Sequence, residues 1–307
     1  MTFHHIPVLL NECLNGLNIS PAGIYVDGTA GGAGHSIEIA KRLTTGRLIA
    51  IDKDPTALDI VRERLLPYPA DVVSGDFSDI TGILDSLNIP AINGILLDVG
   101  VSSHQLDTPE RGFSYSHDAP LDMRMTSAGF SAKDLLNTYS ADEMARVFRD
   151  FGEERFARRI AVNICSEREK KPLETTSRLV EIIRSSIPAA ARREGGHPAK
   201  RVFQAIRIEV NGELSALEAC IGRAFERLNP GGRFAIITFH SLEDRIVKRE
   251  FQKLCTGCTC PPDFPVCVCG KTPRARLVNK KPILAGGGEL EENSRSKSAK
   301  LRILEKI

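Results

Sequence analysis

The 307-residue sequence contains no tryptophan and no apolar run long enough to cross a membrane as a helix. Such a span needs about 18 or more apolar residues in succession, so no membrane association is expected. The N-terminal stretch Met1-Thr2-Phe3-His4-His5 is not a basic segment followed by an apolar run, which argues against a secretory signal. Without a signal, we expect a cytoplasmic protein whose thiols stay reduced.

A strong excess of one charge sign is also missing, because 41 basic and 39 acidic residues leave a net charge of +2. The composition is 42% hydrophobic and 26% charged, which excludes a mostly disordered chain and supplies enough apolar material for a core. The length favours two domains, or one domain with a large insertion.

The charges are unevenly distributed along the chain. Residues 1–143 and 208–270 carry net charges of −10 and −1, whereas residues 144–207 and 271–307 carry +7 and +6. Two basic regions on an otherwise acidic protein suggest a polyanionic partner. Solvated helix faces would produce the same segregation, so the charge pattern alone leaves both interpretations open.

Short apolar runs alternate with helical patterns over the first hundred residues. The pattern predicts strands at 24–27, 47–52, 72–73 and 94–98, and helices at 35–43, 55–66 and 80–87. Such alternation is typical of βαβ units, so we predict an α/β protein with a parallel sheet and helices on both faces.

A different pattern interrupts the sheet after Gly100. The sequence predicts a long loop at 101–130, helices over 131–188, a loop at 189–200, one helix at 204–228 and a strand at 233–239. We therefore predict a discontinuous sheet domain at 1–105 and 205–307, with a mostly helical insertion at 106–204.

A glycine-rich turn, Asp27-Gly28-Thr29-Ala30-Gly31-Gly32-Ala33-Gly34-His35, follows the first predicted strand. Glycines there allow the backbone to approach a ligand closely, and the start of the following helix presents N–H groups. The spacing differs from G-x-G-x-x-G, which disfavours an ordinary dinucleotide fingerprint. Tight βα turns also use glycine for steric reasons alone, so the motif is weak by itself.

Three further strand ends carry candidate ligand-binding residues. Asp52 lies 20 residues after Gly32, where a carboxylate can bind a ribose diol, although it could instead cap the next helix. Asp76 and Phe77 follow the third strand, where a carboxylate or an aromatic ring would lie beside a purine, although Phe77 could instead belong to the core. Asp98 ends the fourth strand and precedes a dense run of polar residues, although a single Asp at a strand end is more often a cap. Open α/β sheets bind ligands at this carboxyl edge, which favours a nucleoside site.

Long motifs recur in order along almost the whole chain. They are His5-Ile6-Pro7-Val8-Leu9-Leu10, Asp27-Gly28-Thr29, Gly34-His35-Ser36, Ile51-Asp52-Lys53-Asp54-Pro55, Leu97-Asp98-Val99-Gly100-Val101-Ser102-Ser103, Gln105-Leu106-Asp107, Arg111-Gly112-Phe113-Ser114, Pro120-Leu121-Asp122-Met123-Arg124-Met125, Gly152-Glu153-Glu154-Arg155-Phe156-Ala157, His197-Pro198-Ala199, Phe203-Gln204-Ala205, Arg207-Ile208, Val210-Asn211, Glu213-Leu214, Phe239-His240-Ser241-Leu242-Glu243-Asp244-Arg245-Ile246-Val247-Lys248 and Asn293-Ser294-Arg295. In these motifs the sequence resembles the bacterial MraW/RsmH family.

The resemblance implies an S-adenosylmethionine-dependent methyltransferase that modifies N4 of a cytidine of 16S ribosomal RNA, at position 1402 in the usual numbering. It implies a Rossmann-like class I methyltransferase sheet, with the helical insertion as an RNA-recognition domain. The expected partner is 16S rRNA within the small ribosomal subunit, and a homodimer is left open. A paired or stacked cytidine would have to be splayed or flipped out to reach the site. The two basic regions are expected to hold the RNA backbone.

The resemblance also assigns a cofactor pocket. Its residues are Ala33, Gly34 and His35 at the amino-acid end of the cofactor, Asp52 at the ribose, Phe77 at the adenine, and Asp98 with Gln105 completing the pocket. The family often has glycine where this chain has Ala33, which reduces backbone freedom without removing the turn.

The mechanism needs a hydrogen-bond acceptor for the N4 protons, because the N4 lone pair is delocalised into the cytosine ring. The Asn/Asp-Pro-Pro-aromatic motif of many amino-methyltransferases is missing, since Asp98-Val99-Gly100-Val101 stands there. Asp98 is the candidate catalytic residue. The alternatives are other polar or carbonyl groups of 98–107, Asp118 and Asp122, with His240, Ser241 and Glu243 as further candidates. Each of the last three could instead be a helix cap, which Ser241 fits well.

Five cysteines, Cys255, Cys258, Cys260, Cys267 and Cys269, fall within fifteen residues. Five thiols could supply a tetrahedral zinc site. The spacing is not a pair of C-x-x-C motifs, because C-x-C occurs twice, and the resemblance implies no metal. A zinc site and a metal-free cluster therefore both stay open.

Other protein classes fit less well. A DNA amino-methyltransferase is disfavoured by the missing Pro-Pro-aromatic motif, and an NAD-dependent oxidoreductase by the glycine spacing. A non-catalytic RNA-binding assembly factor that keeps the methyltransferase fold would share the cofactor-site residues. Methyl transfer, rather than nucleotide binding, separates it from an enzyme.

Overall fold

The computed structural model describes residues 7–193, 196–258, 260 and 268–307. The chain divides into two compact units, Met1–Gly100 with Leu214–Ile307, and Val101–Glu213. None of the helices in the described part combines the length and the apolar character that a bilayer crossing requires.

The first unit is built on a seven-stranded sheet within the described residues. Its strands are β1 (Ile24–Asp27), β2 (Arg47–Asp52), β3 (Ala70–Ser74), β4 (Ile92–Asp98), β5 (Leu228–Thr238), β6 (Ala275–Leu277) and β7 (Lys300–Lys306). They lie in the order β3-β2-β1-β4-β5-β7-β6. Strands β1 to β5 are parallel, whereas β7 is antiparallel to both of its neighbours. The predicted α/β class is confirmed, and the antiparallel edge is a feature that the apolar pattern did not predict.

Both faces of the sheet are covered by apolar side chains. In β2, Leu48 and Ala50 belong to one core cluster, while Ile49 and Ile51 belong to another. Successive residues of a strand point to opposite faces, so this division shows a core on each side. Burial on both faces explains why the strand is an almost continuous apolar run.

The described residues also form a series of α-helices. They are α1 (Leu10–Leu17), α2 (Gly34–Ala40), α3 (Pro55–Leu65), α4 (Ile80–Ser86), α5 (Ser103–Asp107), α6 (Ala132–Thr138), α7 (Ala141–Asp150), α8 (Ala157–Lys170), α9 (Thr176–Ser186), α10 (Lys200–Asn211), α11 (Glu213–Arg227), α12 (Ser241–Cys255) and α13 (Gly287–Glu292).

The predicted single helix over 204–228 is wrong. Helix α10 ends at Asn211, and Gly212 adopts a left-handed conformation with φ of 58° before α11 begins. Glycine reaches this conformation without steric cost, which makes it a common end for a helix. The second half of the predicted helix therefore belongs to a separate element.

The second unit has its own apolar core, and α7 illustrates why its helices pack. Met144, Val147 and Phe148 lie on one face of α7 and are all at most 1% exposed. The preceding segment, predicted as a long loop, contains α5 and is fixed to the core by Asn211. The amide of this residue donates to the carbonyl of Met123 and accepts from the N–H of Met125, at 2.8 Å each.

Candidate ligand site at the carboxyl edge of the sheet

The strand register brings three carboxylates to one edge of the sheet. Asp27, at the end of β1, lies opposite Ala50 in β2 and Leu96 in β4. Asp52 and Asp98 therefore each lie two residues beyond the level of Asp27, on its two neighbouring strands. This is the edge at which open parallel sheets bind ligands.

The glycine-rich turn is tied across the ends of these strands. The N–H of Gly28 donates to the carbonyl of Leu96, and the N–H of Ala30 donates to the carbonyl of Ile51, both at 2.9 Å. The Thr29 hydroxyl accepts the N–H of Asp98 at 2.6 Å. These bonds fix the turn, and with it the start of α2, relative to the carboxylates.

Ala33 stands at a position that demands a left-handed backbone, with φ of 61° and ψ of 21°. An alanine pays roughly 1–2 kcal/mol for this conformation, which glycine adopts freely. The residue is fully buried in the apolar core on that face of the sheet. The turn is therefore held in one strained conformation by its surroundings.

Asp52 links the glycine turn to the next helix. Its Oδ2 accepts the N–H of Gly31 at 2.7 Å, and its Oδ1 accepts the N–H of Asp54 at 2.9 Å. The alternative role as cap of α3 belongs to Asp54, whose carboxylate accepts the N–H of Thr56 at 3.1 Å. Each oxygen of Asp52 retains a second lone pair, so the side chain can still accept from a ligand.

Asp98 and His35 form a largely buried polar pair at this edge, with side chains 19% and 7% exposed. The carboxylate Oδ2 of Asp98 lies 3.8 Å from Nδ1 of His35, and Oδ1 of Asp98 finds no hydrogen-bond partner among the described residues. Burial, with smaller contributions from the charges of Asp27 and Glu243, raises the pKa of Asp98 to about 8. Burial lowers the pKa of His35 to about 4, so its ring is neutral near pH 7.

Asp27 is a buried carboxylate that sequence reasoning did not single out. It accepts the Ser36 hydroxyl at 2.5 Å and the N–H of Thr29 at 3.2 Å. Burial raises its pKa to about 6. The signal lies in the motifs, because Asp27 and Ser36 both occur in them, but their sequence marks Asp27 only as part of a turn.

Phe77 and Gln105 lie in different units. Phe77 is partly buried and packs against the core cluster that contains Ile49. A Cβ added at Gly28 would lie 3.2 Å from its Cβ, so Phe77 borders the glycine turn. Gln105 is buried in the second unit, where it closes a capping box with Ser102 at the start of α5.

Two acidic alternatives to Asp98 have structural partners in the second unit. Asp122 accepts from the guanidinium of Arg124 at 3.0 Å and 2.6 Å, and Asp118 accepts the N–H of Ser177 at 3.1 Å. Although partial burial opposes it, the bonds from Arg124 lower the pKa of Asp122, and hydrogen bonds lower that of Asp118. Both side chains are therefore engaged as structural carboxylates.

The residues after β5 form a helix start. Oε2 of Glu243 accepts the N–H groups of Phe239 and His240, at 2.7 Å and 3.2 Å, and the side chain is 2% exposed. His240 caps α12 and forms a capping box with Glu243. The suggestion that Ser241 is the cap is wrong, because Ser241 is already the first residue of the helix.

An open parallel α/β sheet with a glycine turn after its first strand and carboxylates at its carboxyl edge defines a class of nucleotide-binding and nucleoside-binding folds. The model of the MraW methylase family matches residues 2–307. The chain therefore belongs to the MraW methylase family, which confirms the family that its motifs indicate. His5 and Ile6 of the first motif lie outside the described residues.

Two relatives are similar over the full length. The ribosomal RNA small subunit methyltransferase H of Lachnospira eligens is 56% identical, covering 100% of this chain and 99% of its own. The protein of the same name from Ruminiclostridium cellulolyticum is 55% identical, covering 100% of both chains. Among solved structures, an rRNA methylase from Streptococcus thermophilus matches at 12% identity with a TM-score of 0.43, over 99% of both chains.

Proposed function

We propose that this chain transfers a methyl group from S-adenosylmethionine to N4 of a cytidine in 16S rRNA of the small ribosomal subunit. Membership of the MraW methylase family and the names of the relatives support methylation of ribosomal RNA. The single structural observation that carries the proposal is the buried Oδ1 of Asp98, which has no partner among the described residues.

The chemistry of the edge fits this cofactor. A buried carboxyl with an unsatisfied acceptor is costly by itself and is stabilised when a cation or an N–H donor reaches it. S-adenosylmethionine carries two cationic groups, the sulfonium and the α-ammonium. Oδ1 itself is buried, but the Asp98 side chain as a whole is 19% exposed, so a ligand can contact the carboxyl group.

The resemblance assigns the other residues of the proposed pocket, and the contacts of the glycine turn support several of these assignments. Asp52 accepts two backbone N–H groups and keeps lone pairs for the ribose hydroxyls. The turn at Ala33 and Gly34, with His35 behind it, borders the amino-acid end, and Phe77 borders the adenine. The resemblance also assigns Gln105 to the pocket, and that assignment stays a prediction.

A methyl sulfonium is already a good electrophile, so the methyl donor needs little activation. The reacting nitrogen, in contrast, needs a hydrogen-bond acceptor. The N4 lone pair must leave conjugation with the ring, and an acceptor on the N4 protons favours this. Asp98 is the proposed acceptor, since Asp118 and Asp122 are held by their own structural hydrogen bonds. A nearby cation favours the ionised form of a carboxyl and so prepares Asp98 for this role.

The second unit is the proposed RNA-recognition region. It contains the whole basic segment 144–207, which has a net charge of +7. Arg149 and Arg158 are 68% and 78% exposed in exposed ion pairs, which contribute little and can be exchanged for phosphates. Binding of RNA should therefore weaken as salt is raised.

The deciding experiment is methyl transfer to mapped RNA. Purified protein, labelled S-adenosylmethionine and small subunits from cells that lack the modifying enzyme are combined, and the label is mapped to a nucleotide and to N4. Free 16S rRNA is tested in parallel. We expect label on one cytidine N4, lost in Asp98→Ala and Asp52→Ala and kept in Asp59→Ala, whose side chain is exposed on α3.

Two results would overturn the proposal. Label on another atom or another RNA would change the substrate. Cofactor binding without transfer to either RNA preparation would instead indicate the non-catalytic assembly factor.

A further inference from the structure

Three thiols lie together after the end of α12. The Sγ atoms of Cys258, Cys260 and Cys269 are all within 4.8 Å of one another. The Sγ atoms of Cys258 and Cys269 are 3.7 Å apart. From this arrangement we propose that Cys258, Cys260 and Cys269 bind a zinc ion, a site separate from the sheet edge.

The sulfur separations match tetrahedral coordination. A Zn–S distance of about 2.3 Å in a tetrahedron puts two sulfur atoms about 3.8 Å apart. A disulfide would require about 2.05 Å, and none of the seven cysteines in the described part of the chain forms one. The distance between Cys258 and Cys269 therefore fits two ligands of one ion.

The backbone around the thiols suits a cluster of metal ligands. The N–H of Cys260 donates to Sγ of Cys258 at 3.4 Å. Gly270, directly after Cys269, has a φ of 62°, which allows the chain to turn sharply behind the ligand. Hydrogen bonds to a ligand sulfur belong to the outer shell that orients metal ligands.

The two segments that carry the thiols are connected to each other and to α11. The N–H of Arg274 donates to the carbonyl of Leu254 at 3.0 Å, and the Arg274 guanidinium pairs with Glu226 at 2.7 Å. A Cβ added at Gly257 would lie 2.9 Å from Cδ of Pro273, so these loops are in close contact. The thiols of the two segments are thus held near each other before any ion binds.

A thiolate site of this kind is structural in character. Soft thiolate ligands select zinc over hard cations such as Mg²⁺ and Ca²⁺. An ion held from both segments would crosslink the end of α12 to the chain leading into β6. The fourth position is tested at Cys255, which ends α12, and at Cys267, which lies outside the described residues.

The test is metal analysis of the full chain, purified without chelator under reducing conditions. Inductively coupled plasma mass spectrometry measures zinc, iron and copper per chain. We expect about one zinc per chain, lost in Cys258→Ser, Cys260→Ser and Cys269→Ser. The matched control is Cys165→Ser in α8, which should keep its zinc. Loss in Cys255→Ser or Cys267→Ser identifies the fourth ligand.

A second readout keeps the proposal testable if a serine variant folds poorly. The zinc-free chain is titrated with Co²⁺, and the expected result is the intense visible and sulfur-to-metal bands of a tetrahedral cobalt thiolate, at one equivalent. Less than a tenth of a metal per chain before and after zinc addition would overturn the proposal. Zinc that persists in all three serine variants would do the same, as would a disulfide seen by intact mass in place of a metal.

Discussion

His35 presents an unprotonated nitrogen to Asp98. Nε2 of His35 lies 3.0 Å from the carbonyl of Val8, which can only accept, so Nε2 carries the proton. Because the lowered pKa keeps the ring neutral, Nδ1 faces Oδ2 of Asp98, 3.8 Å away, with a lone pair. The neighbouring imidazole therefore adds no positive charge to the carboxyl, whose pKa of about 8 leaves it mostly protonated near pH 7.

The first prediction concerns cofactor affinity as a function of pH. A bound cation favours ionised Asp98, so binding near pH 7 releases a proton and should tighten as pH rises to about 8. We expect the Kd to fall by up to about tenfold per pH unit between pH 6 and 8. Isothermal titration calorimetry with S-adenosylmethionine measures this.

Asp98→Asn is the control for that titration. The cofactor's own amine titrates equally in both proteins, so the difference between the two profiles isolates Asp98. The variant should bind S-adenosylmethionine weakly at pH 8, and its affinity should change less with pH below that value. Parallel profiles would show that Asp98 does not change ionisation on binding.

The second prediction concerns stability without cofactor. The pKa of Asp98 is about 8 in the folded protein and about 3.9 in an unfolded chain, so folding favours the protonated form. That stability is complete below about pH 4 and is lost as pH rises through 8. The free energy of unfolding of Asp98→Asn, taken relative to that of the wild type, should therefore be higher at pH 8.5 than at pH 5. The expected increase is at least about 1 kcal/mol.

Urea unfolding at the two pH values tests this change. Asp27, whose pKa of about 6 also lies above the unfolded value, is present in both proteins and contributes similarly to both curves. A stability difference that is the same at pH 5 and pH 8.5 would contradict the raised pKa of Asp98.

The central strands could be predicted because burial on both faces leaves a local signature. Strand β4 is an almost uninterrupted apolar run that ends in Asp98, and its neighbours share that pattern. Strand β7 lacks it, since Lys300, Arg302 and Lys306 interrupt its apolar residues. Arg302 is nevertheless 8% exposed, because Asp244 in α12 accepts from its guanidinium at 2.7 Å. A partner 58 residues away gives no periodic signal.

The candidate site, like the fold, has features that the sequence predicted and features that it did not. Strand ends in parallel register place Asp52 and Asp98 at one edge, and the apolar pattern predicts that. The raised pKa of Asp98 depends on packing around it and on Glu243, 145 residues later in the chain. The structural engagement of Asp122 likewise depends on the side-chain conformation of Arg124. Sequence spacing therefore predicted positions but not charge states.

The third prediction concerns Asp52. Asp52→Asn leaves one acceptor oxygen for the two N–H groups of Gly31 and Asp54. The other N–H group then faces the amide nitrogen of the asparagine, which cannot accept a hydrogen bond. Leaving one N–H unsatisfied should lower the free energy of unfolding by about 1–3 kcal/mol. Asp59→Asn is the control, because Asp59 is 82% exposed and pairs with Arg62 at the surface. It should stay within about 0.5 kcal/mol of the wild type.

A double-mutant cycle separates the structural role of Asp52 from ribose binding. An S-adenosylmethionine analogue that lacks the ribose hydroxyls should bind the wild type more weakly than the parent cofactor does. Removal of the ribose hydroxyls should weaken binding to Asp52→Asn much less, because that variant has lost the carboxylate that would accept from them. An equal loss of affinity in both proteins would show that Asp52 supports the turn without contacting the ribose.

The fourth prediction concerns two glycines. Gly112 has a φ of 69°, and a Cβ there would lie 2.2 Å from the carbonyl oxygen of Pro120. Gly112→Ala should lower the free energy of unfolding by about 2 kcal/mol or more. Gly222→Ala, inside α11 with no atom within 4 Å of the added Cβ, should raise it by up to about 1 kcal/mol. Urea unfolding followed by circular dichroism compares the two, and changes of the same sign would refute the distinction.

The fifth prediction concerns the salt dependence of RNA binding. Arg149 and Arg158, on α7 and α8, lie in the basic segment, and replacing both with Gln removes two proposed phosphate contacts. The slope of log Kobs against log salt should become shallower by about 0.7 per lost contact with single-stranded RNA.

The matched control replaces Lys41 and Arg62, which are 48% and 53% exposed in the acidic N-terminal region. Fluorescence anisotropy with a 16S rRNA fragment at several salt concentrations measures both slopes. An equal change in the two double variants would mean that the charge of the whole protein, rather than the surface of the second unit, attracts the RNA.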